Sequence, residues 1–123
     1  MKEPIFNQLA ENVCSLYDIT KEKLFTKTKE RKVVDARHIL YFGCMSRQIR
    51  LNYIQDYLKK NGYRVSHSSI LHGIDVVKQK REQDQDYVTI TDRIQECVKK
   101  IKLSRLEQEE LYKGQLYYKT KEL

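Results

Sequence analysis

The sequence predicts an all-α chain: a compact helical bundle carrying a helix-turn-helix, with a C-terminal helical extension. Three observations point there. Apolar residues recur three and four positions apart through successive segments, the spacing that lines one side of a helix. Asn61-Gly62 separates two such segments, and the second, opening at Ser66, is polar at its start. Pro4, the single proline, stands where the first turn of a helix tolerates a missing N–H.

A chain of 123 residues is expected to form one domain with an extension, divided here as 1–84 and 85–123. Hydrophobic residues make up 40%, enough for a core. Charged residues make up 33% and the mean hydropathy is −0.73, which excludes a membrane-spanning helix of roughly 18 apolar residues. The start, Met1-Lys2-Glu3-Pro4-Ile5-Phe6, has no signal-segment pattern, so a cytoplasmic location is expected, in a bacterium or a phage-infected one. Cys14, Cys44 and Cys97 are odd in number and too far apart for a zinc knuckle; they read as small buried thiols.

In chain order, Ile5, Leu9, Val13, Leu16 and Tyr17 give an amphipathic helix over 4–17. Asp18-Ile19-Thr20 breaks it, and Thr20 caps a short turn whose Leu24 and Phe25 return to the core. Thr26 to Lys32 is a polar loop with four positive charges, either a solvated connection or an arm for phosphates or the minor groove. Val33 to about Ile49 is apolar on most sides and predicts a central buried helix, with another helix close to Gly43. Asn52 and Gln55 have the spacing of a capping box before a short helix that buries Leu51, Ile54, Tyr57 and Leu58 and stops at Asn61-Gly62. The next helix, capped by Ser66, has Ile70, Leu71, Ile74 and Val77 as its apolar face and runs to about Gln83. A charged hinge follows, then a last helix starting at Asp86 or Thr91 with Ile90, Ile94, Cys97, Val98 and Ile101 on one stripe. The tail past Lys102 loses its period and is expected to pack on a partner copy or fray.

The polar side of the Ser66 helix holds Ser68, Ser69 and His72, short uncharged groups suited to approaching hydrogen-bonding edges such as those of a DNA major groove. The net charge is +7, and it is concentrated: from Thr20 to Arg81 there are fifteen Lys or Arg against five Asp or Glu, while the flanks hold nine against twelve. A cationic core around a Ser/His helix is the electrostatic footprint of a nucleic-acid binder.

The run His67-Ser68-Ser69-Ile70-Leu71-His72 resembles the His-Ser/Thr-Thr-Val-Leu-His signature of the C-terminal DNA-binding domain (domain IV) of the bacterial replication initiator DnaA, in the Trp-repressor-like helix-turn-helix superfamily. The resemblance extends from about Ile5 to Val77 and also takes in Leu16-Tyr17, Leu24, the basic loop and the pair Arg37-His38. It implies that Lys29 or Arg31 enters a minor groove, that Arg37 holds phosphate, and that the signature helix reads the major groove. The chain departs from the family at Val65-Ser66, where the family has a basic-acidic pair, and in a longer segment between Ile54 and His67. No Gly-x-x-x-x-Gly-Lys-Ser/Thr loop is present, so the resemblance implies a stand-alone module of the kind a phage or mobile element carries.

The expectation is therefore a double-stranded DNA-binding protein, probing sequence in replication-origin recognition or transcriptional regulation. Lys27, Lys29, Arg31, Arg37, His38 and Arg64 would face the backbone, and Ser66, His67, Ser68, Ser69 and His72 the base edges. The alternative is a structural or interaction protein that keeps the fold and meets an acidic protein partner, or DNA without sequence preference. Catalysis is not expected: His67 and His72 fall on different helix faces, and no elbow or oxyanion loop surrounds the serines. Neither a cofactor nor a metal is expected, nor a membrane partner; the C-terminal helix is expected to support a homo-oligomer.

Overall fold

A computed structural model describes residues 2–96 of the chain. Those residues form six helices and no strand, and the helix Arg31–Ser46 packs chiefly against the helices His67–Gln83 and Glu3–Tyr17.

Helix α1 (Glu3–Tyr17) carries Pro4 in its first turn and is capped at its end by Asp18, whose φ of 55° places it in the left-handed region. It buries Phe6, Leu9, Ala10, Val13 and Cys14. The expected stripe is thus rotated: Leu16 is exposed, while Ile5 and Tyr17 are only partly covered. Helix α2 (Lys21–Leu24) is capped as expected, with the Lys23 amide donating to Thr20 Oγ1 at 3.1 Å. Leu24 and Phe25 are buried, and the Phe25 ring stacks on Phe6 with centroids 6.2 Å apart.

Helix α3 (Arg31–Ser46) begins two residues before the expected Val33 and stops short of Ile49. The stop is a backbone reversal: Gln48 takes a φ of 64°, and the Ile49 amide turns back to the Cys44 carbonyl at 3.0 Å. Ile49 still reaches the core, through this reversal and not as part of the helix. The neighbour expected close to Gly43 is α1: a Cβ there would lie 3.2 Å from Leu9 Cδ2.

Helix α4 (Leu51–Lys60) starts at Leu51 with Arg50 as its cap residue and no side-chain cap, so the capping box expected at Asn52 and Gln55 does not form. Gln55 instead donates from Nε2 to the Val65 carbonyl at 2.8 Å, fixing the link to the next helix. Gly62 supplies the turn with a φ of 86°.

Helix α5 (His67–Gln83) buries Ile70, Gly73, Ile74 and Val77. Leu71, expected on that face, is 48% exposed. Gly73 takes its place because α5 lies so close to α3 that a Cβ at 73 would be 2.7 Å from the His38 ring and 2.8 Å from that of Tyr41.

Residues 85–96 form the described part of α6. Ile94 of this segment joins the same cluster of buried side chains as the helices before it. Ile94 and Thr91 are buried, Gln95 donates to the Gly43 carbonyl at 3.0 Å, and Arg81 on α5 bonds Thr91 and pairs with Asp92 at 3.3 Å. Cys97 and the expected self-association segment of the tail lie outside the described residues. The core is dominated by Leu, Ile, Val and Phe side chains, each contributing about 1.5–3 kcal/mol when fully buried. No described helix is long and apolar enough to cross a membrane.

Candidate functional site

An open groove of about 830 Å³ runs between the 27–28 loop, the middle of α3, the link after Gly62 and the first turns of α5. Its cations are Lys27, Arg37 and Arg64, its polar wall is Ser66, Ser68, Ser69 and His72, and no Asp or Glu lines it. The nearest acids on these elements are engaged elsewhere: Asp35 with Lys80 at 3.3 Å, Glu30 with Lys23 at 3.1 Å, and Asp75 with Gln79 at 3.3 Å.

Arg37 and His38 of α3 do not sit as expected. Arg37, expected on phosphate, is 4% exposed and turned inward. Its Nη1 donates to the carbonyls of Thr26 at 2.8 Å and Leu24 at 3.4 Å, and its Nη2 to that of Thr28 at 2.9 Å. A buried guanidinium needs its donors satisfied, and one carbonyl from the end of α2 and two from the loop after it provide that. Arg37 therefore shapes the loop instead of standing free for a ligand. His38, expected beside it on the same surface, lies beneath α5, with its ring 6.0 Å from that of His72 in an edge-on arrangement. Its Nδ1 is buried without a hydrogen-bond partner. Burial above all, then His72, lowers its pKa below the ordinary histidine value; Lys80 and Arg37 add to this, and Asp35 opposes it.

The first turn of α5 is arranged as its sequence predicts. Ser66 Oγ accepts the Ser69 amide at 3.1 Å and lies 3.2 Å from the Ser69 hydroxyl, so these two serines chiefly cap the helix. His67, Ser68 and His72 are exposed. Lys27 and Arg64 are exposed at the groove; Lys29 and Arg31 are exposed nearby in sequence but do not line it, nor does His67.

Sequence reasoning passed over Tyr63. Its ring carries two cations, the Arg37 guanidinium at 4.7 Å and the Lys27 ammonium at 5.8 Å from the centroid. The signal was an aromatic directly after Gly62 and before Arg64, read only as a connection. Tyr41 forms the floor, its hydroxyl pKa raised by burial first and by Tyr63 beside it. Among the described residues, no group of three His, Cys, Asp or Glu side chains could hold a metal ion.

Comparison with protein-family models, curated proteins and solved structures finds no match to this chain.

Proposed function

We propose that the chain binds double-stranded DNA, with the N-terminal turns of α5 directed into the major groove and the cations of the 27–31 loop and Arg64 on the backbone. The observation that carries this reading is the groove itself: a helix start whose exposed Ser68 and His72 line it shares a border with Lys27 and Arg64, and no acid lines that border. A second support is Arg31 and Lys32 in the first turn of α3, where the helix dipole disfavours cations and an approaching anion would offset that penalty. The resemblance of residues 67–72 to the DnaA signature makes the proposal more specific: sequence-selective binding in replication-origin recognition or transcriptional control, inside a bacterial or phage-infected cell.

A gel-shift salt titration tests the proposal. Each phosphate contact contributes a slope of about 0.9 in log affinity against log salt. Lys27→Ala with Arg64→Ala is expected to weaken binding to every duplex and flatten that slope. Affinity that ignores salt would reject the reading. Arg37 is not a diagnostic position, because its substitution disturbs the loop.

The inward turn of Arg37 and His38 favours a second reading, in which the fold is kept and the cationic face meets an acidic protein or DNA of any sequence. Selection from random duplex DNA separates the two: an enriched motif supports the first, uniform retention the second.

A further inference from the structure

We infer that Tyr63 is a positioning residue for duplex binding: its ring holds the Lys27 ammonium at the groove and so ties the loop after α2 to the link before α5. The inference rests on the DNA-binding reading above and deepens it.

The end of α4 fixes where this ring stands. With Gly62 at a φ of 86°, its amide donates to the Lys59 carbonyl at 2.9 Å and the Tyr63 amide donates to the Leu58 carbonyl at 2.9 Å. That pair of bonds is a Schellman stop, and it sets the Tyr63 backbone against the last turn of α4. Two residues on, the Val65 carbonyl is held by Gln55. The link is thus secured on both sides of Tyr63, whose half-buried side chain joins the lining of the groove. Tyr63 falls in the segment between Ile54 and His67 that is longer here than in the family the chain resembles.

Lys27 comes to the same groove from the loop after α2. Among the described residues no carboxylate pairs with it, and its ammonium lies instead 5.8 Å from the centre of the Tyr63 ring. For an anionic ligand that difference is decisive. A carboxylate would hold the lysine and cancel its charge, whereas the negative face of a ring attracts the cation and leaves the charge in place. The ring meets the ammonium from one direction, so N–H donors remain for phosphate oxygens. The second cation on this ring, the Arg37 guanidinium, is 4.7 Å from the centre, but it is buried and bonded to backbone carbonyls. Lys27, exposed at the groove, is the one a phosphate reaches.

The test uses the full chain and a random-sequence duplex at one salt concentration. Position 63 carries in turn tyrosine, phenylalanine, and phenylalanines with increasing numbers of ring fluorines, which drain the negative face of the ring and change its shape little. Tyr63→Phe is expected to bind as tightly as the parent. Affinity is then expected to fall stepwise with fluorination, by about two- to fivefold at full substitution. In a Lys27→Ala background the dependence on fluorine is expected to vanish. An affinity indifferent to fluorine would overturn the assignment, as would a dependence that persists without Lys27; duplex binding itself would stand in both cases. Weakening by Tyr63→Phe alone would assign the role to the hydroxyl, which adjoins Tyr41, and overturn it too. If the unaltered chain shows no salt-sensitive binding to the duplex, the underlying reading fails along with it.

Discussion

The guanidinium of Arg37 lies 4.7 Å from the ring centre of Tyr63 and joins three parts of the chain that are far apart in sequence. Through its nitrogens it holds the carbonyls of Leu24, Thr26 and Thr28, and through its flat face it holds the link between α4 and α5. Arg37→Lys removes the planar fork that reaches several carbonyls at once. A loss of about 2–4 kcal/mol is expected, since hydrogen bonds to a charged donor contribute about 1.5–3 kcal/mol each and the carbonyls are left short of partners. Urea denaturation measures it; a variant as stable as the parent would show that the clamp is dispensable.

At Gly73 the backbone of α5 comes close to the side chains of α3. Gly73→Ala places a methyl where the rings of His38 and Tyr41 already stand, so one or both must shift. Overpacking of this kind costs about 1–3 kcal/mol, even though alanine is the better helix former. An unchanged urea midpoint would mean that the two helices part without strain.

The half-buried ring of His38 makes stability depend on pH. Its folded pKa is below the ordinary value, so as pH falls the unfolded chain takes up the proton first. The neutral ring therefore stabilises the fold above the ordinary value of about 6.5, and that contribution declines as pH drops from there toward the lowered folded pKa. His38→Gln is expected to flatten the slope of unfolding free energy over that window. The same slope in parent and variant would assign the dependence to other groups.

Cys44 is fully buried, and burial raises its thiol pKa; Cys14 is raised less, with Lys21 opposing the effect of burial. Since the thiolate is the reacting form, Cys44 is expected to resist iodoacetamide in the native chain and to react fully in denaturant. Site-resolved mass spectrometry reads each cysteine separately. Rapid native labelling of Cys44 would show that α1 and α3 open readily.

What could be read from the sequence was local chemistry. Thr20 and Ser66 were identified as caps because a hydroxyl and an amide three residues on satisfy each other without help from the rest of the chain. The helix period located α1 and α5 but not their rotation. Leu16 and Leu71 were assigned inward because they are apolar, while Phe6 and Gly73 hold the buried places through what α2 and α3 put against them. Asn52 and Gln55 have the right spacing for a box, yet Gln55 finds a carbonyl ten residues ahead. The resemblance directs Arg37 to phosphate; only tertiary folding brings it carbonyls from 9 to 13 residues away. The charged run before α6 looked like a hinge, and nothing local announces that Thr91 and Ile94 close the same core.

The Arg37 clamp also changes what the 26–28 segment is able to do. A polar loop with no apolar anchor would ordinarily sample many shapes, and any ligand would have to select one. Here the carbonyls of Thr26 and Thr28, on either side of Lys27, are fixed to the central helix, so Lys27 is carried on a preorganised frame. An anionic visitor meets this charge already stationed at the groove, and little chain entropy is surrendered when the two come together.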